Sequence, residues 1–171
     1  MALQRRRNEP AGGAPGASEM IETVIKLYRC SKVMKGGRRF SSAALVVVGD
    51  GKGRVGLGYG KANEIPRAVE KGAKEARRSM FDVPLKRETL PHRSIGKHKS
   101  AKVLLIPAAP GTGIIAGPAV RPVLEAAGVK DVLTKVYGAT NAKNVAKATV
   151  AGLRALRGRR EVEALRGVKL A

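Results

Sequence analysis

The chain has 171 residues, 43% of them apolar, enough for one ordinary domain or two small ones with real cores. Its 34 Lys and Arg against 13 Asp and Glu leave a net charge of +21, far beyond what solubility needs, so a polyanionic partner is expected to relieve the self-repulsion. No run approaches the roughly 18 apolar residues of a membrane span, and aromatics at 3% leave little on which to stack splayed single strands, which favours structured RNA or duplex held by its phosphates and shape.

The opening MALQRRRNEPAGGAPGASE has no apolar secretory segment; with Glu9, Glu19 and scattered Gly and Pro, residues 1–19 read as a disordered basic arm. MIETVIKLYRC at 20–30 leans towards a strand through Thr23-Val24-Ile25 and Leu27-Tyr28. Within it Cys30, alone of its kind, excludes an intrachain disulfide and makes a reducing compartment the default. The stretch KVMKGGRRF at 32–40 follows, with four cations, two adjacent glycines and no acid, placed where this strand must turn into the next, Ser41 to Val48. Asp50-Gly51 signals a tight hairpin. In the alternating run from Arg54 to Gly60, Val55, Leu57 and Tyr59 share one face, while Gly56, Gly58 and Gly60 leave the other bare enough for a helix or another backbone to approach closely.

A helix is predicted from an N-cap at Asn63 to about Met80. At about 100° per residue, Ile65, Val69, Gly72, Ala76 and Met80 fall within about 80° of one another, with Arg67, Lys71, Lys74 and Arg78 clustered opposite. One face packs; the cationic one reads first as a solvated face, with RNA contact the alternative. Asp82-Val83-Pro84 and Leu90-Pro91 mark a boundary, because proline breaks helices and thins out sheet pairing. Beyond it, Pro91 to Ile95 and Ala101 to Ile106 read as a hairpin around a basic loop GKHKS. Next come GTGIIAG at 111–117, a helix closed by Gly128, a strand from Asp131 to Tyr137, a helix from Asn141 to about Arg157, and a short helix in REVEALRG at 160–167. Pro118 suits the first turn of the helix before Gly128, but Pro122 would forfeit a hydrogen bond there, so that helix is distorted or starts late. The fold class is α+β in two small units, β-β-β-α over 20–82 and β-β-α-β-α over 83–157, with a tail at 158–171.

Enzymatic and nucleotide-binding motifs fail on inspection. Gly51, Gly53 and Gly56 match GxGxxG, but the last glycine opens another strand where a helix is required. Gly60-Lys61 is followed by alanine where a P-loop needs Ser or Thr. GTGIIAG reads either as an anion-binding amide nest or as a tight structural turn. His92 and His98 have no Cys or carboxylate cluster around them, so no metal is expected, nor any other cofactor. The 13 carboxylates sit mostly at caps, first turns and hairpins, with no isolated acid and base pair.

The cations are concentrated. Residues 26–61 hold Lys26, Arg29, Lys32, Lys35, Arg38, Arg39, Lys52, Arg54 and Lys61 against the single acid Asp50. Arginine grips phosphates in bidentate fashion, and Gly36-Gly37 lets main-chain amides approach a phosphate backbone. Arg29, Lys32, Lys35, Gly36, Gly37, Arg38, Arg39, Arg54 and Lys61 are therefore the candidate RNA-binding residues.

The blocks KGGRRFSSAALVVVGDGKGRVGLGYGKANEIPRAVEKG and PAAPGTGIIAGPAVRPVLEAAGVKDVLTKVYGATNAKNVAKAT closely resemble small-subunit ribosomal protein five of bacteria, from about Glu22 to Leu156. The resemblance implies a double-stranded-RNA-binding-like first domain and a second with a left-handed βαβ crossover. It also implies a place in the cytoplasmic ribosome, as one copy and not a homo-oligomer, bound to small-subunit ribosomal RNA. There the protein would brace head against body, neighbour ribosomal proteins four and eight, and influence decoding accuracy with protein four. The hairpin tip, Ser31 to Arg38, would lie near the RNA helix where spectinomycin acts, and Gly113 and Arg121 match positions tied to the interface with protein four. Pro118, Pro122 and Ala142 depart from the family's usual residues.

Overall fold

The computed structural model describes residues 20–168, so the arm at 1–19 and the last three residues lie outside the described residues. The first sheet contains β1 (Ile21–Met34), β2 (Gly37–Gly49), β3 (Arg54–Ala62) and the short β4 (Phe81–Asp82), antiparallel and adjacent in that order. Helix α1 (Ile65–Arg78) lies between β3 and β4 in the chain. The continuous apolar run of β2 follows from cover on both faces, since neighbouring side chains on a strand point to opposite sides. Ala44, Val46 and Val48 pack with Ala68, Ala73 and Ala76 of α1. Leu45 and Val47 join Val55 in the main core, shared with residues from the second half of the chain such as Val120, Val123 and Leu124.

The bare face of β3 is where α1 sits. A methyl group built on Gly56, Gly58 or Gly60 would lie 2.1, 2.0 and 1.9 Å from the carbonyl oxygens of Ala76, Gly72 and Ala68. Helix and strand main chains therefore touch directly. The helix starts one residue later than the Asn63 cap predicts: Glu64, extended at φ −106° and ψ 149°, precedes the first turn, which carries Pro66. Ile65, grouped by periodicity with the packing residues, is exposed at the first position of this helix. At the other end Ser79 closes the helix, its hydroxyl donating to the Leu57 carbonyl at 3.0 Å. The predicted turn at Asp50-Gly51 is a longer loop of residues 50–53, organised by one Asp50 carboxylate oxygen that accepts from the backbone N–H groups of Lys52 and Arg54 at 2.8 and 2.9 Å.

The second sheet contains β5 (Ser94–His98), β6 (Ala101–Pro107), β7 (Ile114–Ile115) and β8 (Val132–Gly138) in the spatial order β5-β6-β8-β7. Gly96, Lys97 and His98 pair with Val103, Lys102 and Ala101, so most of the GKHKS loop is strand and the turn shrinks to Lys99-Ser100. Gly96 has the same role as the β3 glycines. Helix α3 (Ala142–Arg154) packs so closely that a methyl on Gly96 would stand 1.9 Å from the Ala148 carbonyl. Strand β7, absent from the sequence reading, pairs in parallel with β8, and α2 (Arg121–Ala126) connects the two. The proline conflict resolves as a late start: Pro118 precedes α2 and Pro122 falls in its first turn, where its missing N–H costs nothing. Asn141 caps α3 by accepting from the Lys143 N–H at 3.0 Å. The terminal segment forms α4 (Arg159–Arg166).

The two halves are joined through main chain as well as core. The Gly51 N–H donates to the Ala126 carbonyl at 3.1 Å. A methyl on Gly49 would lie 2.0 Å from that carbonyl oxygen, and one on Gly128 2.1 Å from the Gly51 oxygen. The end of α2 is thus seated against the loop between β2 and β3.

Candidate nucleic-acid interface

Pairing of β1 with β2 continues to Met34 opposite Gly37, leaving Lys35-Gly36 as a two-residue turn. Gly36 and Gly37 take φ of +87° and +145°, which L side chains rarely adopt, and beyond each glycine and its two chain neighbours nothing lies within 4 Å of where a side chain would begin. Main chain at the tip is therefore bare on the outside. Every residue from Ser31 to Phe40 is exposed, so these four strand pairs and their turn project past the packed body.

Strand alternation distributes the charges. Arg38 stands opposite Val33 on the side of the sheet that α1 covers further along, while Arg39 stands opposite Lys32 on the other side. Among the described residues, Lys32, Lys35, Arg38 and Arg39 have no ion pair; the five salt bridges engage other cations. With no carboxylate to neutralise them, all four are available to a polyanion on either face. At the root, the Arg29 guanidinium lies 4.4 Å from the centre of the Phe40 ring, and Lys61 stands opposite Ala43.

Arg54 is not part of this group. It begins β3 at the far end of the sheet, beside Gly49, roughly 40 Å along the strands from the tip at about 3.3 Å per residue, and it pairs with Asp82 at 3.1 Å. On α1, Arg67 and Arg77 are engaged by Glu64 and Glu22, whereas Lys71, Lys74 and Arg78 face solvent without ion pairs among the described residues.

Gly113 and Arg121 come close together through Ile114. The Arg121 guanidinium donates to the Ile114 carbonyl at 2.7 Å. The Gly113 N–H donates to the Asp131 carboxylate at 2.8 Å, and its carbonyl accepts from the Val132 N–H at 3.1 Å. Of the two readings of GTGIIAG, the structural turn is the one realised: the amide that would hold an anion is occupied by a buried carboxylate, which also repels one. Asp131 is thus a clamp on this loop, a role that its position before a strand did not disclose.

A second cationic line escaped the sequence reading. Lys143, Lys147 and Arg154 fall on one side of α3, a spacing of four and seven residues that was visible in the sequence. Their surroundings were not. Lys143 Nζ lies 3.5 Å from the Tyr59 ring centre and the Arg154 guanidinium 4.6 Å from that of Phe81, so rings of the first sheet hold cations of the second unit. Lys147 and Arg154 also line a cleft of about 320 Å³ with Leu57, Ser79 and His98.

Comparison with known proteins agrees with this architecture. Residues 20–84 match the family model described as ribosomal protein S5, N-terminal domain, and residues 96–166 match ribosomal protein S5, C-terminal domain. The chain is similar to the small ribosomal subunit protein uS5 of Rubrobacter xylanophilus, 52% identical over 96% of this chain and 82% of the relative. It is 51% identical to uS5 of Rhodopirellula baltica over 96% of this chain and 92% of that protein. For uS5 of Chloroflexus aurantiacus the figures are 57% identity, 81% of this chain and 78% of the relative. These relatives are named as ribosomal proteins and not as enzymes. With both of its halves matched and its relatives aligned over most of its length, the chain belongs to the ribosomal protein S5 family, structural constituents of the small ribosomal subunit.

Proposed function

We propose that the chain binds small-subunit ribosomal RNA chiefly through the β1–β2 hairpin, with Lys32, Lys35, Arg38 and Arg39 on phosphates, Gly36 and Gly37 allowing close main-chain approach, and Arg29 and Lys61 at the root. The observation that carries the reading is that the ten residues 31–40 are all exposed and hold four cations with no acid. An unneutralised cluster on so slender a projection serves solvation poorly and fits between phosphates well. In the same reading the unit at 20–82 and the unit at 83–157 engage separate RNA regions, bracing head against body. Their shared core supports this, since it makes one rigid strut of two units. Gly113 and Arg121 then form the contact with ribosomal protein four through which accuracy is influenced, and protein eight is a further neighbour.

The test is binding of the full chain to ribosomal RNA fragments over a salt series. Removing one phosphate-binding cation lowers the slope of log K against log salt by about 0.7–0.9. Replacing Arg38 and Arg39 together by Ala should weaken binding and flatten the slope by about 1.5. An unchanged slope would remove the hairpin from the interface.

A further inference from the structure

Three large apolar side chains stand half-exposed around a single cleft at the hairpin root: Leu27 at 46%, Phe40 at 49% and Ile65 at 48%. The cleft encloses about 670 Å³, and it exists for two local reasons. Leu27 pairs with Ala44 and Arg29 with Ser42, which puts these side chains, with Phe40, on the face of the sheet that α1 covers further along. The helix begins only at Ile65, after the extended Glu64, so its first turn walls this region without roofing it.

The walls combine two kinds of chemistry. Arg29 lies 4.4 Å from the Phe40 ring centre and steadies the ring while nearly half of that residue stays open. Asn63 and Ser42 line the cleft, and their side chains make no hydrogen bond among the described residues. Glu64 also lines the cleft, and its carboxylate lies 3.5 Å from Arg67 Nε, which offsets its charge towards an approaching polyanion. Apolar lining, a half-exposed aromatic residue and unpaired amide and hydroxyl groups suit a planar heteroaromatic group, whose faces stack and whose rim hydrogen-bonds. Arg29 and Arg38 on the same face of the hairpin complement the phosphates on either side of such a group.

We propose that this cleft receives one unpaired nucleobase of the bound RNA, stacked on Phe40 and held at its edge by Asn63. The proposal rests on the RNA-binding reading of the hairpin and adds to it: the cations grip the backbone, and the cleft selects a place where a base is free to leave the stack. A chain with few aromatics needs only one platform for this.

The test uses the full chain and two RNA hairpins of equal length, one fully paired and one with a single bulged 2-aminopurine, both carrying a terminal dye for titration by fluorescence anisotropy, with the 2-aminopurine emission followed in the second. The expected result is tighter binding of the bulged RNA, by about fivefold or more as base–aromatic stacking provides, with quenching of the 2-aminopurine emission. Phe40→Ala should bring the bulged-to-paired ratio to about one and abolish the quench, and Phe40→Tyr should restore both. Equal affinities without quenching in the unsubstituted chain, or a preference that survives Phe40→Ala, would overturn the proposal. Equal affinities together with a failure of Phe40→Ala to enter assembled small subunits would overturn it in favour of an apolar side chain of a neighbouring protein. If neither RNA binds, the hairpin reading itself falls, and the base site with it.

Discussion

Substituting Gly58 by Ala probes the packing that holds the first unit together. The added methyl would lie 2.0 Å from the Gly72 carbonyl oxygen and 2.5 Å from the Ala76 nitrogen, where ordinary contact begins at 3.4 Å. Both obstacles are main chain, so no rotamer change relieves the clash, and α1 must retreat by about 1.4 Å. A gap of that size forfeits about half or more of the dispersion attraction between the layers, and here the layer includes Ala68, Ala73 and Ala76 against Val46. Overpacking costs about 1–3 kcal/mol; with backbone on both sides the upper end, about 3 kcal/mol, is expected. That is a large fraction of a total stability of about 5–15 kcal/mol. At a urea dependence of about 2 kcal/mol per M, the unfolding midpoint falls by about 1.5 M. Gly117→Ala is the matched control, because nothing lies within 4 Å of the new methyl and the backbone is not left-handed; its midpoint should move by less than about 0.25 M, the equivalent of about 0.5 kcal/mol. If Gly58→Ala unfolds at the same urea concentration as Gly117→Ala, direct strand–helix contact is not what orders this layer.

Asp131→Ala leaves the Gly113 N–H without its acceptor and should cost about 1–3 kcal/mol, with faster hydrogen exchange at the Gly113 and Val132 amides that pin β7 to β8; unchanged exchange would show that the clamp is dispensable. Asp50 behaves differently with pH. Burial alone would raise its carboxyl pKa, but the Arg54 and Lys52 backbone N–H groups and the Arg54 guanidinium outweigh burial and hold it below the ordinary value. Its stabilising contribution is therefore complete above the unfolded value of about 3.9 and is lost as pH falls through the lower folded one. Asp50→Asn should be less stable than the unsubstituted chain at pH 7, with the difference shrinking as pH falls below the unfolded value of about 3.9 in urea titrations; a difference independent of pH would contradict this.

Local chemistry made much of this protein legible. Apolar runs, turn residues and the glycine face of β3 marked strands, hairpin and close packing, because period-two alternation and a missing side chain leave marks in the sequence itself. Charge density located the projecting hairpin for the same reason, since Lys32, Lys35, Arg38 and Arg39 are neighbours along the chain. What depended on distant partners stayed hidden. Gly96 reads as loop from its neighbours alone, although α3 lies directly on it, and β7 is too short to show a period and exists only because β8 offers it a parallel edge. Arg54 is close to the hairpin in sequence yet separated from it by the length of β2, because an extended strand carries its far end away. The cleft at Phe40 is made by the point at which a helix begins relative to a sheet, and the shared core by the seating of α2 against β2; both are distances between elements, set by packing and absent from any one segment.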